Sequence, residues 1–275
     1  MESKELIITA NNISVCYNES GTSSVPLIFI HGFPFDKNMW NPQMKALENI
    51  VRVISYDIRG YGKSTTSGEK PAISLFADDL VKFMDMLRID KAIICGLSMG
   101  GYIALDVLYR YRNRFSGIVL CDTQCIADTP ETKAKRYDTI KKIEENGLND
   151  FAEAFVKNIF SEVTLSHNTK SVEQIKQTIL STPVETVVST LKALAERWQM
   201  CSTLNEINIP ALIICGEEDK VTPVAQSDFL NKNISNSTLH IIGKAGHLSN
   251  LEQPEIFNGF LHKFISDIVT IEREE

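Results

Sequence analysis

The sequence lacks the segments that would place a protein in or across a membrane. Among its 275 residues there is no stretch of about 18 apolar residues, which a transmembrane helix needs. Its first residues show no basic leader followed by an apolar run of about 7–15 residues, the pattern of a secretory signal peptide. From these two absences we expect a soluble, cytoplasmic protein.

The cysteines follow no metal-binding spacing. The six cysteines include no C-x-x-C pair. Three of them, Cys95, Cys121 and Cys215, fall inside apolar runs that are typical of strands, where cysteine packs as a small hydrophobic residue. The pattern predicts neither a disulfide nor a zinc site.

An excess of basic residues and the common cofactor motifs are also missing. The formal charge is −7, and the charges are scattered rather than grouped in runs, which disfavours nucleic acids and anionic membrane surfaces as partners. The sequence contains no G-x-x-x-x-G-K-[ST], no dinucleotide fingerprint of the required spacing and no H-E-x-x-H. We therefore predict no cofactor and no metal.

What the sequence does contain is a series of short apolar runs separated by segments with helical periodicity. The hydrophobic content of 43% is ample for one large core. The runs predicted to be buried strands are residues 26–30, 51–56, 92–95, 116–121, 211–215 and 238–242. Ahead of them, residues 5–17 alternate around Asn11 and Asn12, which predicts an antiparallel hairpin. The alternation of strands with helices, such as 74–87, predicts an α/β fold: a mainly parallel sheet with helices on both faces.

One region breaks this alternation. Between residues 127 and 200 no buried-strand pattern occurs, and four segments look helical: 131–146, 148–160, 171–180 and 184–199. The region is too long for a connecting loop. We therefore predict a core domain made of residues 1–126 and 201–275, with residues 127–200 inserted as a helical cap near the carboxyl ends of the strands, where such sheets bind ligands.

The run at 92–95 ends in Gly96-Leu97-Ser98-Met99-Gly100, and a helical pattern follows. A strand that turns directly into a helix forces the central residue into a strained backbone conformation and needs small residues on either side. The pentapeptide alone also fits an ordinary turn. The strand before it and the helix after it favour a G-x-S-x-G nucleophile elbow, which makes Ser98 the predicted nucleophile. The N–H of Met99, at the start of the helix, is a predicted oxyanion donor.

Two later strands are each followed by a residue that could activate this serine. A serine hydroxyl needs a base, and an imidazole suits that role; His247 follows the last strand and is the predicted base. Asp219 follows the strand before it and is the predicted acid that orients the imidazole. Asp122, after residues 116–121, is the alternative acid, but it opens the long insertion whereas Asp219 lies on a short loop. His31 is expected to brace its own loop.

Five separated motifs together resemble those of the α/β-hydrolase family. They are His31-Gly32-Phe33-Pro34, Asp57-x-Arg59-Gly60-x-Gly62-x-Ser64, Gly96-x-Ser98-x-Gly100-Gly101, Gly216-x-x-Asp219-x-x-x-Pro223 and Gly246-His247. Within the family the chain is similar to small cytoplasmic carboxylesterases and 3-oxoadipate enol-lactonases, although the resemblance weakens over residues 127–200. It implies the α/β-hydrolase fold and a second oxyanion donor, the N–H of Phe33. Haloalkane dehalogenases and related epoxide hydrolases of this fold carry an aspartate where Ser98 stands, so both activities are disfavoured.

The predicted function is that of a serine hydrolase that cleaves a small carboxylic ester or lactone through an acyl-enzyme. The alternatives are a carbon–carbon bond hydrolase of ring-cleavage products and, in a different class, a ligand receptor or signalling module; haloperoxidase chemistry is a possible side activity. An acidic substrate would call for a cationic group in the predicted cap; Arg136 and Arg197 are two such groups, and the sequence does not place them relative to the site. The candidates for an apolar pocket wall, each of which also fits the core, are Phe33, Trp40, Met99, Trp198 and Leu248.

Overall fold

A single sheet forms the centre of the protein. The computed structural model describes residues 4–22 and 25–274, and it contains eight strands there. They are β1 (Lys4–Ala10), β2 (Ile13–Ser20), β3 (Pro26–Ile30), β4 (Arg52–Tyr56), β5 (Ala92–Leu97), β6 (Phe115–Cys121), β7 (Ala211–Gly216) and β8 (Ser237–Ile242). Their order in the sheet is β1-β2-β4-β3-β5-β6-β7-β8. All pairs from β4 to β8 are parallel, so the predicted mainly parallel sheet is confirmed.

The first two strands form the predicted hairpin at one edge of the sheet. β1 pairs with β2 antiparallel, and β2 pairs with β4 antiparallel. The turn consists of Asn11 and Asn12, with φ angles of 47° and 63°. Asparagine tolerates this left-handed region better than most residues, and two positive φ angles in succession give the turn that matches the twist of a hairpin.

The central strands are buried on both faces, which explains their continuous apolar runs. Every residue of β3, β5 and β7 is buried. β8 was predicted as a run of the same kind, but it is the last strand in the sheet and most of its residues are only partly buried or exposed. An edge strand packs against a neighbour on one side only, so its apolar residues are less covered.

Helices cover both faces of the sheet, as predicted. Alternate residues of β3 enter two separate apolar clusters, because successive side chains of a strand point to opposite faces: Ile28 and Ile30 join one cluster, and Leu27 and Phe29 join the other. The α-helices outside residues 127–200 are α1 (Asn41–Leu47), α2 (Ile73–Met86), α3 (Met99–Tyr111), α9 (Val224–Asn233), α10 (Ser249–Glu252) and α11 (Pro254–Glu274), and short 3-10 helices span Lys37–Trp40, Arg112–Arg114 and Cys201–Glu206. α2 and α3 pack on the first cluster, and α1 and α11 pack on the second. Within the described ranges no helix has the length and apolar character that a membrane crossing requires.

Five helices lie between β6 and β7, in the segment 127–200 that we call the insertion. They are α4 (Pro130–Asn146), α5 (Asn149–Ile159), α6 (Glu162–His167), α7 (Thr169–Ser181) and α8 (Val184–Ala195). Four of them match predicted segments, although α8 ends four residues earlier than residue 199. α6 was not predicted; its six residues are too few to show a period, and Ser161 caps it by accepting a hydrogen bond from the Thr164 N–H. The division into a core and a cap stays a proposal, and residues 1–3, 23, 24 and 275 of the predicted core lie outside the described residues.

The prediction that the cysteines form no disulfide is wrong. Cys125 and Cys201 are joined by a disulfide across a sequence separation of 76 residues, with Cα atoms 4.9 Å apart. The two residues flank the insertion, so the fold brings them together although no spacing pattern marks them. Cys125 also accepts a backbone hydrogen bond from Met200, at 2.8 Å. Cys16, Cys95, Cys121 and Cys215 are free and buried, as expected for cysteines that pack as hydrophobic residues.

Candidate active site

Ser98 lies at a sharp junction between β5 and α3. Its φ and ψ angles are 54° and −113°, a strained conformation for a residue other than glycine. A Cβ atom on Gly96 would come within 2.2 Å of the Gly100 carbonyl oxygen, and one on Gly100 within 2.2 Å of the Ile30 carbonyl oxygen. The two glycines are therefore required by the close approach of the backbone. This is the geometry of the predicted nucleophile elbow.

The predicted acid and base are in direct contact. Oδ2 of Asp219, on the loop after β7, lies 2.8 Å from Nδ1 of His247, on the loop after β8. Only 5% of Asp219 and 2% of His247 is exposed. The backbone N–H of His247 donates to the Ile159 carbonyl at the end of α5, at 2.7 Å. Since β5, β7 and β8 are parallel, Ser98, Asp219 and His247 all lie at the carboxyl edge of one sheet.

Further hydrogen bonds hold the Asp219 carboxylate in place. Oδ1 accepts from the N–H groups of Val221 and Thr222, and Oδ2 accepts from the Thr222 hydroxyl at 2.7 Å. Burial works against ionisation of Asp219, but attraction to His247 and these hydrogen bonds outweigh it, and the pKa of Asp219 lies below its usual value. Burial likewise lowers the pKa of His247, but the Asp219 carboxylate outweighs burial and raises that pKa above 6.5. The pair thus favours a carboxylate beside an imidazole that readily accepts a proton.

The alternative acid, Asp122, has other partners. Its Oδ1 accepts from the Gly216 N–H at 2.8 Å, and its Oδ2 shares a hydrogen bond of 2.5 Å with the Ser249 hydroxyl. The hydrogen bond to the imidazole comes from Asp219 instead. The geometry therefore favours Asp219 over Asp122 as the acid.

The two predicted oxyanion donors lie at the same edge of the sheet, one at the start of α3 and one on the loop after β3. Met99 is the first residue of α3, and the first N–H groups of a helix have no partner within it. Phe33 follows β3 and precedes a cis peptide bond to Pro34. His31 braces this loop, as expected: its Nδ1–H donates to the Gly32 carbonyl at 2.9 Å, and its Nε2 accepts from the Ile58 N–H at 3.0 Å.

A cleft of about 490 Å³ opens between Phe33 and the insertion. Its apolar lining includes Phe33, Tyr102, Ile126, Phe151, Phe155 and Leu191. The ring centroids of Phe33 lie 6.2 Å from Phe151 and 6.1 Å from Phe155. A second cavity of about 500 Å³ shares the lining residues Thr139 and Phe151 with the cleft.

Only one of the five predicted wall candidates lines this cleft, and it is Phe33. Trp40 is fully buried and stacks on Phe29 in the core, and Leu248 is also fully buried. Trp198 is 45% exposed and lies elsewhere: its Nε1–H donates to Asp106 at 3.2 Å and its ring contacts Tyr109. Sequence analysis missed Phe151 and Phe155, whose spacing of four residues places them on one face of α5.

The two arginines proposed as anion-binding groups share one carboxylate. Oδ2 of Asp128 accepts from Nε of Arg136 at 2.5 Å, and Oδ1 accepts from Nη1 of Arg197 at 2.6 Å. Burial opposes ionisation of Asp128, but the two arginines outweigh it and lower the pKa of Asp128. The guanidinium carbon of Arg197 also lies over the Tyr102 ring, 4.6 Å from the ring centroid. Both arginines are thus engaged by the protein, while Lys135 is a further cation on the cleft lining.

A serine at a strained strand–helix junction and a buried His–Asp pair, all at the carboxyl edge of one mainly parallel sheet, form the arrangement of a hydrolase. The sequence model of the alpha/beta hydrolase fold matches residues 25–254, and the chain belongs to the α/β-hydrolase family. The fold class and the family resemblance predicted from the sequence are therefore confirmed.

Several proteins to which this chain is similar are named as lactonases or esterases. The chain is 30% identical over 252 residues to 3-oxoadipate enol-lactonase 2 of Acinetobacter baylyi, covering 91% of this chain and 92% of that protein. A solved structure of a thermophilic esterase from Thermogutta terrifontis, with malate bound, has a TM-score of 0.92 and 31% identity, covering 97% of this chain and 99% of that one. The solved structure of the enol-lactonase from Burkholderia xenovorans has a TM-score of 0.89 and 26% identity to this chain. The match covers 95% of this chain and 100% of that one.

Proposed function

We propose that this hydrolase cleaves a small carboxylic ester or lactone, with Ser98 as nucleophile, His247 as general base and Asp219 as the acid that orients it. The observation that carries the proposal is the buried contact of 2.8 Å between His247 and Asp219 at the same sheet edge as Ser98. The similarity to esterases and enol-lactonases supports this substrate class.

The residues present suffice for acyl transfer. His247 takes the proton of the Ser98 hydroxyl as its oxygen attacks the carbonyl carbon, and the N–H groups of Phe33 and Met99 stabilise the resulting oxyanion. The tetrahedral intermediate collapses when the protonated imidazole gives its proton to the leaving alkoxide. Water then attacks the acyl-enzyme, with His247 again as the base, and releases the carboxylic acid and the free serine.

We further propose that the insertion acts as a cap that selects substrates by shape. Phe151 and Phe155 of α5 and Leu191 of α8 lie across the cleft from Phe33 and Tyr102. Aromatic side chains bury a large apolar area and favour flat or apolar groups against their faces. The preferred substrate is therefore an ester or lactone that carries an apolar or aromatic group.

The test is a comparison of kcat/KM for aryl esters, lactones and ring-cleavage products, using the wild type and Ser98→Ala. We expect ester or lactone turnover at about 1–1000 per second, and its loss in Ser98→Ala without loss of the fold. Faster cleavage of ring-cleavage products than of any ester would favour carbon–carbon bond hydrolysis instead. Ligand binding with negligible turnover of every class would favour a receptor.

The cellular location and the partners remain proposals. Because the net charge is −7 and the charges are scattered, we expect neither a nucleic acid nor a membrane as a partner. We expect a small molecule as the substrate. A cytoplasmic location is in tension with the disulfide between Cys125 and Cys201, because disulfides are rare in cytosolic proteins of most organisms.

A further inference from the structure

The end of β6 carries a buried carboxyl group that links two of the loops described above. Asp122 is 0% exposed. One of its oxygens accepts from the Gly216 N–H, at the start of the loop that carries Asp219, and the other lies 2.5 Å from the hydroxyl of Ser249, two residues after His247. A single side chain thus ties the acid loop to the histidine loop.

The next residue, Thr123, connects the same end of β6 to the strand–helix junction at Ser98. The Thr123 hydroxyl donates to the Ser98 carbonyl at 2.8 Å, and the Ser98 N–H donates to the Cys121 carbonyl at 2.9 Å. Asp122 itself has a φ of 44°, in the left-handed region that aspartate adopts more readily than most residues. The end of β6 therefore contacts the loops of Ser98, Asp219 and His247.

The charge state of Asp122 follows from its neighbours. Carboxylate oxygens of Asp122 and Asp219 and the sulfur of Cys215 all lie within 4.8 Å of one another, and two buried carboxylates this close disfavour double ionisation. Asp219 is the one held as the carboxylate, by its contact with His247 and its hydrogen bonds from Thr222. Burial is the main cause that raises the pKa of Asp122 well above its usual range, and repulsion from Asp219 raises that pKa further. A neutral carboxyl group still offers one acceptor and one hydroxyl, which match the Gly216 N–H and the Ser249 hydroxyl.

We propose that Asp122 is a positioning residue: by bridging Gly216 and Ser249 it holds Asp219 and His247 at the separation that the reaction needs. Asp122 contributes shape and hydrogen bonds rather than charge, and it acts on the imidazole only through the two loops. Its expected effect on rate rests on the function proposed above, whereas its effect on the geometry of His247 does not.

The chain offers a matched pair of variants for the test. Asp122→Asn keeps the shape, keeps an acceptor for Gly216 and gives a donor to Ser249, while Asp122→Ala removes both contacts. A misplacement of about 1 Å can cost about 100-fold in rate, so we expect kcat on an aryl ester to fall by about 10- to 100-fold in Asp122→Ala. In Asp122→Asn the expected fall is less than about threefold, and KM changes by less than about twofold in both variants.

A second readout reports the position of the imidazole without any turnover. The pKa of His247, measured by NMR titration of its ring, should fall in Asp122→Ala because the contact with Asp219 is loosened, and should stay at the wild-type value in Asp122→Asn. If Asp122→Ala fails to fold, Ser249→Ala removes half of the bridge and should lower kcat and the His247 pKa in the same direction.

Three outcomes would overturn the proposal. Asp122→Asn could lose as much activity as Asp122→Ala, which would mean that the negative charge is needed. A folded Asp122→Ala could keep both the wild-type rate and the wild-type His247 titration. Where Asp122→Ala does not fold, Ser249→Ala could leave both unchanged. A wild type that hydrolyses no ester, with a His247 titration that still shifts in Asp122→Ala, would refute the proposed function and leave the positioning role standing.

Discussion

Nδ1 of His247 and Oδ2 of Asp219 lie 2.8 Å apart, although the residues are 28 positions apart in sequence. The loops after β7 and β8 meet because these two strands are neighbours and parallel. With its Nδ1 proton directed at the carboxylate, the neutral imidazole keeps Nε2 as its proton acceptor. The contact therefore selects the tautomer that a general base needs.

Asp219→Asn should disable the enzyme without unfolding it. The amide would favour the wrong tautomer of His247, which in serine proteases lowers kcat by roughly 10⁴. Ester hydrolysis at neutral pH measures the effect, and circular dichroism checks the fold. Asp122→Asn is the matched control at the neighbouring carboxyl group. A large loss in Asp122→Asn together with a small one in Asp219→Asn would contradict the assignment of the acid.

The pH dependence of kcat/KM should follow the ionisation of His247. Burial lowers its pKa, but Asp219 outweighs burial and raises the pKa above 6.5. Only the neutral imidazole accepts a proton, so the rate should fall as the pH drops through a midpoint above 6.5. A midpoint below 6.5 in the wild type would contradict the strength of this pair.

The raised pKa of His247 also makes the stability of the fold depend on pH, but stability falls as the pH rises whereas the rate increases. A histidine with a raised pKa in the folded state stabilises the fold fully below its unfolded pKa of about 6.5, and this contribution is lost as the pH rises through the folded value. As the pH rises from about 6.5 through the folded-state pKa of His247, the urea concentration at the unfolding midpoint should therefore decrease in the wild type. The decrease should be smaller in His247→Gln, which lacks the titrating group.

The elements that the sequence predicts well are those with a strong local pattern. β3, β5 and β7 are buried on both faces, so each appears as an unbroken apolar run, and Ser98 stands at a strand–helix junction that needs glycines at fixed positions. Those patterns sufficed to predict the sheet, the hairpin and the placement of Ser98, Asp219 and His247 at one edge of the sheet.

The elements that the sequence does not predict depend on contacts between distant segments. Cys125 meets Cys201 only because the insertion begins and ends at one place. α6 is too short for a helical period. The direction in which Phe151 or Trp198 points depends on how α5 and the segment after α8 pack, which the sequence pattern leaves open.

The disulfide should contribute measurably to stability. It closes a loop across 76 residues, and the chain-entropy model assigns about 4 kcal/mol to a loop of that size. At about 2–4 °C per kcal/mol, reduction should lower Tm by roughly 10 °C. A Cys125→Ser/Cys201→Ser variant should show the same Tm with or without reductant.

A thiol titration provides the direct check on that bond. Four of the six cysteines are free, so the unfolded, unreduced protein should react with a thiol reagent at four sites. Reaction at all six would mean that the bond between Cys125 and Cys201 does not form.

Substrate preference should respond to Phe151 and not to Trp198. Phe151 lines the cleft, so Phe151→Ala should change the ratio of kcat/KM between bulky and small esters by roughly 10-fold. Trp198 is 45% exposed and contacts Asp106 and Tyr109, so Trp198→Ala is the control and should leave that ratio unchanged. The reverse pattern would place the substrate against Trp198 rather than in the cleft.

The central claim is that Ser98 forms the covalent intermediate, and mass spectrometry of the trapped protein tests it most directly. After reaction with a fluorophosphonate, the wild type should carry one adduct, and peptide mapping should locate it on Ser98. Ser98→Ala, checked for its fold, should remain unmodified. An adduct on another residue, or one that persists in the folded Ser98→Ala variant, would contradict the account.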